Sequence, residues 1–296
     1  MFATLTDWHE TQVFSLNPSS SHSPKANKNL TVPLVNDLHS LSPARNGHVH
    51  RNPYSHPAEP PAAARHFPLV ILVFSAPSQQ KRRQLLRETW LNASSAEVSI
   101  SVQFMVCGGV KEETSLQAEF LQPKRGNLQF LPMPPPEGGT ESCFQSALVW
   151  ISEHLLFDHV LIVNDNDWVQ SSALLKVLPL LPSRMSWIAH FACNTLKPPQ
   201  GNYLADRLPC VGKGSILSRD VIYWMAENAK FLQMHGDYAA TLGIWLSTSR
   251  VKRREDKRIL VEGCKDDALL RLGLEEASFR TYHQNKQLCD KLCSCP

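Results

Sequence analysis

The chain has 296 residues, of which 43% are hydrophobic and 19% are charged, and its formal net charge is +3. This is the composition of a globular protein with room for one large α/β domain or two smaller ones, so a wholly disordered chain, a coiled coil and collagen are excluded. The small net charge argues against a nucleic-acid-binding protein, and no apolar run is long enough to predict a transmembrane helix.

Residues 1–66 have the composition of a disordered tail. They contain eight of the 21 prolines and seven of the 12 histidines, and such a segment buries too little apolar surface to offset its ordering entropy. The first ten residues show neither the basic nor the apolar region of a signal peptide. Two N-glycosylation sequons, at Asn29 and Asn92, would be used only if the chain entered the endoplasmic reticulum.

From Phe67 onwards the pattern becomes that of a folded domain. Continuous apolar runs predict buried strands, and apolar stripes at helical spacing predict the helices between them. In chain order, the predicted elements are a strand at Leu69–Phe74, a helix at Gln79–Leu91, strands at Val98–Val106 and Leu128–Leu131, a helix at Phe144–Leu156 and a strand at Val160–Val163. This alternation predicts an α/β sheet covered on its faces by helices.

An acidic cluster follows the last of these strands directly, at Asn164–Asp167. In open α/β sheets, ligands bind at the carboxyl ends of the strands. Two carboxylates one residue apart, Asp165 and Asp167, are suited to share a divalent cation that also holds a diphosphate. An ordinary Asn/Asp turn is the alternative interpretation.

Several segments resemble the β-1,3-glycosyltransferase family, which includes galactosyl-, N-acetylglucosaminyl- and N-acetylgalactosaminyltransferases. They occur in the family's order over about 230 residues, from Phe67 to Pro296. The matching segments are Arg83–Trp90 (R-x-x-I-R-x-T-W in the family), Val102–Gly108, Val160–Val169 (the strand with the D-D-D motif), Gly212–Ser218 (G-x-G-Y-V-x-S), Leu242–Leu246 and the C-x-x-x-C-x-C tail at Cys289–Cys295.

The resemblance implies a GT-A fold, which is a Rossmann-like mixed sheet with helices on both faces. It also implies a UDP-sugar donor, a Mn²⁺ or Mg²⁺ cofactor, inverting transfer to a glycan or glycoprotein acceptor, and a type II membrane protein of the endoplasmic reticulum or Golgi. No anchor segment is visible in this chain. We therefore expect a stem-like tail at 1–66, a glycosyltransferase domain at 67–262 and a cysteine-rich extension at 263–296 packed on that domain.

Carried over residue by residue, the resemblance also implies a site. Asp165 and Asp167 would hold the metal, and Asp237 would act as general base. The residues expected to bind the donor are Arg83, Arg87, Asp165, Gly212 and Gly214. The alternative interpretation of Arg83 and Arg87 is that they are exposed residues of a helix. The alternative interpretation of Gly212 and Gly214 is that they form a simple tight turn.

Three departures from the family pattern fall on the chemistry. The D-D-D triplet aligns with Asn164, Asp165 and Asn166, so its third acid, the usual metal ligand, becomes an amide unless Asp165 and Asp167 act as a D-x-D motif. The family's Glu-Asp acid pair aligns with Tyr238 and Ala239, which leaves Asp237, or His235, as the nearest substitute base. The segment Pro134–Cys143 lacks the family's lysine. These losses support an alternative function, a catalytically inactive relative that binds a glycan or a partner.

The cysteines point to an oxidising compartment or to a metal site. Four of the eight lie in the last 33 residues, at Cys264, Cys289, Cys293 and Cys295, and their spacing permits a zinc site with His283. The resemblance to a secretory-pathway family favours disulfides instead, with Cys264 bridging to one of the tail cysteines.

Overall fold

The structure is a computed structural model, and it describes residues 65–91, 100–108, 116, 128–132, 143–193, 209–235, 237–247 and 249–295. Residues 1–64 of the tail predicted at 1–66, the sequons at Asn29 and Asn92, and the lysine-free segment up to residue 142 lie outside these residues. His66, the last residue of the predicted tail, is the first residue of a strand. Within them, no helix is both long and apolar enough to cross a membrane.

A seven-stranded mixed sheet forms the centre of the described domain. Its strands lie in the order β3-β2-β1-β4-β7-β6-β8, with β1 to β4 parallel and β7 antiparallel to both of its neighbours. The strand bounds are β1 His66–Phe74, β2 Ile100–Gly108, β3 Leu128–Pro132, β4 Leu156–Asn164, β6 Ser186–Ala192, β7 Val211–Ser218 and β8 Lys252–Glu255. Three short strands, β5 Trp168–Val169, β9 Ile259–Leu260 and β10 Leu270–Arg271, form a second sheet.

Six α-helices have both of their ends among the described residues. Their bounds are α1 Gln80–Glu88, α2 Cys143–His154, α3 Ser171–Val177, α4 Arg219–Glu227, α5 Tyr238–Ser247 and α6 Glu276–Cys289. Helix α1 ends three residues earlier than predicted, because the Thr89 amide bonds to the carbonyl of Leu86 and its backbone leaves the helical conformation. Two 3₁₀ turns, at Leu178–Leu180 and Ala229–Phe231, follow α3 and α4.

The two faces of the sheet are buried separately. Strand β1 shows this directly, because Leu69, Ile71 and Val73 pack into one apolar cluster while Val70 and Leu72 pack into the other. The first cluster includes residues of α1, α3 and α6, and the second includes residues of α2, α4 and α5. This two-residue alternation across a sheet with helices on both faces confirms the predicted α/β fold class.

The C-terminal residues are part of the first cluster. Phe279 and Leu292 are fully buried there, and the Asp266 carboxylate accepts hydrogen bonds from the backbone amides of Leu292 and Cys293. These amide donors hold the pKa of Asp266 below its ordinary value. Residues beyond 263 therefore pack directly against the sheet, while the domain boundaries themselves remain a prediction.

All eight cysteines are paired in disulfides. The pairs are Cys107–Cys143, Cys193–Cys210, Cys264–Cys293 and Cys289–Cys295. Cys264 therefore bridges to a tail cysteine, as predicted, and no thiolate is left for the alternative zinc site with His283.

Candidate active site

Strands β1 and β4 lie side by side at the point where the chain changes direction along the sheet. The chain runs from β1 outwards to β2 and β3 and then returns to place β4 on the other side of β1. A crevice opens at the carboxyl ends of two such strands, and it is the usual ligand site in open α/β sheets. Here those ends are Phe74 and Asn164, which are paired in register.

Ser75, directly after β1, connects the two strand ends. Its hydroxyl donates a hydrogen bond of 2.7 Å to Oδ2 of Asp165. Arg83 of α1 stabilises this arrangement. Its Nη1 donates hydrogen bonds to Ser75 Oγ at 2.9 Å and to the carbonyl oxygen of Ala76 at 2.7 Å. Arg83 is fully buried, so it positions Ser75 and Asp165 instead of presenting its guanidinium to a ligand.

Asp165 is the half-buried carboxylate of the crevice. Burial raises the pKa of Asp165, while the Ser75 hydroxyl and the charges of Arg82 and Arg83 oppose that rise. The hydrogen bond from Ser75 holds the Asp165 side chain in place, and part of its surface remains exposed to a ligand.

Asp167 has a different role from its neighbour. Its side chain is only 3% exposed, and its two oxygens accept backbone hydrogen bonds from Asn164, at 2.8 Å, and from Gly273, at 2.9 Å. Desolvation raises the pKa of Asp167 to about 6. Asp167 thus fixes the turn after β4, and its role as a metal ligand in a D-x-D motif stays a prediction.

A divalent cation fits these residues poorly. Such ions prefer several carboxylate oxygens, but besides the two hydrogen-bonded oxygens of Asp167 the turn offers the Asp165 carboxylate and the amides of Asn164 and Asn166. The Oδ1 of Asn166 is buried without a partner among the described residues. The described part of the chain contains no group of three His, Cys, Asp or Glu side chains able to hold a metal. The Mn²⁺ or Mg²⁺ that the resemblance implies is therefore not supported by this set of side chains.

The start of α5 faces the same crevice. The Tyr238 ring lies against Phe74, with ring centroids 6.2 Å apart. Burial and the nearby charge of Asp167 raise the pKa of Tyr238, so its hydroxyl stays protonated, and the backbone amide of Gly214 faces it. The neighbouring Asp237 is exposed, and its Oδ1 accepts a hydrogen bond from the Ala240 amide at 2.8 Å. Asp237 is therefore the N-cap of α5 at the rim of the crevice.

The two predicted donor-binding glycines lie where β7 passes the end of β4. Both are buried, and a Cβ atom on Gly212 would lie 2.2 Å from Cζ2 of Trp187. Gly214 has a φ of +62°, and its Cβ would lie 2.8 Å from Cδ1 of Leu270. Close packing accounts for both residues, and the exposed Lys213 between them is the side chain that reaches towards the turn.

Gly212→Ala is expected to destabilise the protein by about 1–3 kcal/mol, because the added methyl group overpacks the contact with Trp187. Chemical denaturation of the variant measures this loss. In a Trp187→Phe background, where the Cζ2 atom is absent, the cost of the same substitution should fall. An equal cost in both backgrounds would contradict the packing explanation.

The remaining arginines of α1 point away from one another. The Arg87 guanidinium carbon lies 4.6 Å from the ring centroid of Phe104, which places it on β2 and not at the crevice. The Arg82 guanidinium carbon lies 5.7 Å from the ring centroid of Phe279 in α6, and its charge acts on Asp165. Arg82 is thus the half-buried arginine of α1 that borders the crevice.

Comparison with curated proteins identifies relatives of one kind. The chain is 28% identical over 222 residues to mouse (Mus musculus) β-1,3-galactosyltransferase 6, covering 68% of each chain. It is 26% identical over 156 residues to the UDP-GalNAc:β-1,3-N-acetylgalactosaminyltransferase 2 of Xenopus laevis, covering 49% of this chain and 32% of that protein. The chain is thus similar in sequence to β-1,3-glycosyltransferases. No family model matches it.

Two solved structures are similar to this chain at low identity. One is a 4-diphosphocytidyl-2C-methyl-D-erythritol synthase from Anaerococcus prevotii, with a TM-score of 0.40, 12% identity and coverage of 64% of this chain and 86% of that one. The other is the galactosyltransferase LgtC in complex with donor and acceptor sugar analogs, with a TM-score of 0.39, 13% identity and coverage of 64% and 74%.

Tyr238 and Ala239, the residues that align with the acid pair of the resembling family, lie in the first turn of α5. Ala239, at the position of the family's aspartate, is only 3% exposed and packs in the first turn of α5. Its methyl group cannot take a proton. His235, the other substitute base, is exposed, and its backbone amide bonds to the hydroxyl of Thr241.

Sequence reasoning missed four residues of the crevice: Ser75, Arg82, Tyr238 and Gly273. Ser75 was visible as the first residue after a buried strand, where ligand-side residues of α/β sheets lie. Arg82 lies beside the arginine that matches the family motif. The contact between Gly273 and Asp167 joins residues 106 positions apart, and no local pattern indicates it.

Proposed function

We propose that the chain is a UDP-sugar-dependent β-1,3-glycosyltransferase that transfers a galactosyl, N-acetylglucosaminyl or N-acetylgalactosaminyl group, with inversion, to a glycan on a glycoprotein. One observation carries this proposal: Asp165, Ser75 and the start of α5 converge at the carboxyl ends of β1 and β4. The relationship to named β-1,3-galactosyl- and N-acetylgalactosaminyltransferases supports the reaction class.

Asp237 is the residue that we assign as general base. Its Oδ1 is fixed by the Ala240 amide, and its Oδ2 makes no hydrogen bond to the described residues, so one oxygen of a positioned carboxylate remains open to an acceptor. In the reaction, the acceptor hydroxyl gives its proton to Asp237 while its oxygen bonds to the anomeric carbon of the donor. The bond from that carbon to the diphosphate oxygen breaks, and UDP leaves with the electron pair.

The disulfides support a location in the lumen of the endoplasmic reticulum or Golgi. All eight cysteines are paired, and structural disulfides persist in oxidising compartments but are rare in the cytosol. A glycoprotein acceptor would be available in the same compartments.

The test is UDP release by the purified, disulfide-bonded protein. UDP-galactose, UDP-N-acetylglucosamine and UDP-N-acetylgalactosamine are each supplied with a panel of sugar acceptors, with and without Mn²⁺. Release of UDP with formation of a β-1,3-linked product, lost in Asp165→Ala, is the expected result. The absence of both turnover and UDP binding would contradict the proposal.

Binding without transfer is the second candidate function, and Ala239 at the position of the family's aspartate favours it. In that case UDP raises the melting temperature, because a ligand that binds only the native state stabilises it. No UDP is then released with any donor and acceptor of the panel.

A further inference from the structure

The charges at the turn after β4 favour an anion over a cation. Arg82 and Arg83 both act on Asp165, and Lys213 acts on Asp167. At this turn three cationic groups therefore act on two carboxylates, and one of these, Asp167, already accepts two backbone hydrogen bonds. The third carboxylate of the crevice, Asp237, is exposed at its rim. A divalent cation requires an excess of negative charge in its ligands, whereas a diphosphate requires an excess of positive charge.

Arg82 is the one of these three cationic groups whose guanidinium has a buried N–H group without a hydrogen-bond partner among the described residues. Arg83 donates three hydrogen bonds to the turn after β1, and within the described residues Arg82 makes no hydrogen bond or ion pair, with its Nη1 buried and unpartnered. Its guanidinium lies over the ring of Phe279, which is fully buried and belongs to the core. The ring holds the guanidinium plane in place and leaves its hydrogen-bond donors unused.

We propose that Arg82 takes the place of the divalent cation in this chain, so that its guanidinium holds the diphosphate of a UDP-sugar that binds without Mn²⁺ or Mg²⁺. The inference rests on the proposed function, since it concerns the same donor site. Guanidinium groups bind phosphate oxygens through paired N–H donors. Arg82 therefore supplies both the countercharge and the geometry that a bound cation would otherwise supply. No bond is made or broken by this interaction.

Titration calorimetry with UDP tests the proposal on the purified full chain. We expect the dissociation constant measured in EDTA to agree within about twofold with that measured in MnCl₂, since no cation bridges the ligand to the protein. Arg82→Gln should weaken UDP binding by about tenfold or more, the usual effect of losing a charge-assisted hydrogen bond. Lys81→Gln is the matched control, because it removes one positive charge from an exposed position of the same helix.

If Arg82→Gln does not fold, Arg82→Lys is used as the second variant to test the role of Arg82. It retains the charge but not the paired donors, so we expect an affinity between those of the wild type and the glutamine variant. Affinity equal to the wild type in both Arg82 variants would overturn the assignment of Arg82. Binding that requires Mn²⁺ would overturn the inference and leave the proposed function intact. The absence of UDP binding under either condition would overturn the proposed function itself.

Asn166→Asp is expected to convert the crevice into a cation site. It places a second carboxylate beside Asp165, in the position of the family's metal ligand. In this variant Mn²⁺ should strengthen UDP binding by about tenfold, whereas in the wild type it should change the affinity by less than about twofold. Equal Mn²⁺ dependence in the two proteins would contradict the proposal.

Discussion

Asp237→Asn is expected to lower the rate of hexosyl transfer by about 10²–10⁴-fold, the usual contribution of a general base. The substitution preserves the N-cap of α5, since asparagine caps helices as well as aspartate does and its amide oxygen can accept the hydrogen bond of the Ala240 amide. An amide cannot take the proton of an acceptor hydroxyl. The measurement is UDP release at saturating donor and acceptor.

Stability and donor binding serve as controls for this variant. The free energy of unfolding and the affinity for UDP should both match those of the wild type. Asp237→Ala, in contrast, should lose activity and also about 0.5–2 kcal/mol of stability, because it removes the cap. Full activity in Asp237→Asn would exclude Asp237 as the base.

Asp167 is expected to make the protein less stable as the pH rises from about 4 to about 6. Its pKa in the folded state is raised from 3.8 to about 6, so in this window the folded state binds more protons than the unfolded state. Stability then falls with increasing pH, by about 3 kcal/mol in total, since each pKa unit corresponds to about 1.4 kcal/mol. The contribution is complete below pH 4 and is lost above pH 6.

Chemical denaturation at pH 4 and pH 7 measures this contribution when wild type and Asp167→Asn are compared. Asparagine does not titrate, so the stability of the wild type relative to the variant should decrease by about 3 kcal/mol between the two pH values. Parallel pH dependence of the two proteins would show that Asp167 does not titrate in this window.

The sequence predicts the large sheet because its strands are buried on both faces. Leu69 to Val73 are all fully buried, and a continuous apolar run is the pattern of such a strand. The start of β4 was missed for the opposite reason. Two polar residues interrupt its first half, where Asp158 lies 3.1 Å from His66 and His159 bonds to the carbonyl oxygen of Pro182. These long-range partners leave no signal in the local sequence.

The sequence predicts where the site lies, but it does not predict which role each of its residues has. Asp165 and Asp167 look equivalent in the sequence, yet one borders the crevice and the other is buried by contacts with a segment far along the chain. The same holds for Arg82 and Arg83. A helix turns by about 100° per residue, so one guanidinium meets the turn after β1 and the other meets Phe279 of α6.

The hydrogen bond from Gly273 to Asp167 has a consequence for the order of folding. All seven strands of the large sheet precede residue 256, so the ribosome releases the complete sheet before the Gly273 amide is available. Until then, the buried carboxylate lacks one of its two backbone donors. The crevice is therefore completed only after residue 273 has been synthesised, and a nascent chain or a shorter product that stops before Gly273 would retain every strand of that sheet without a finished crevice.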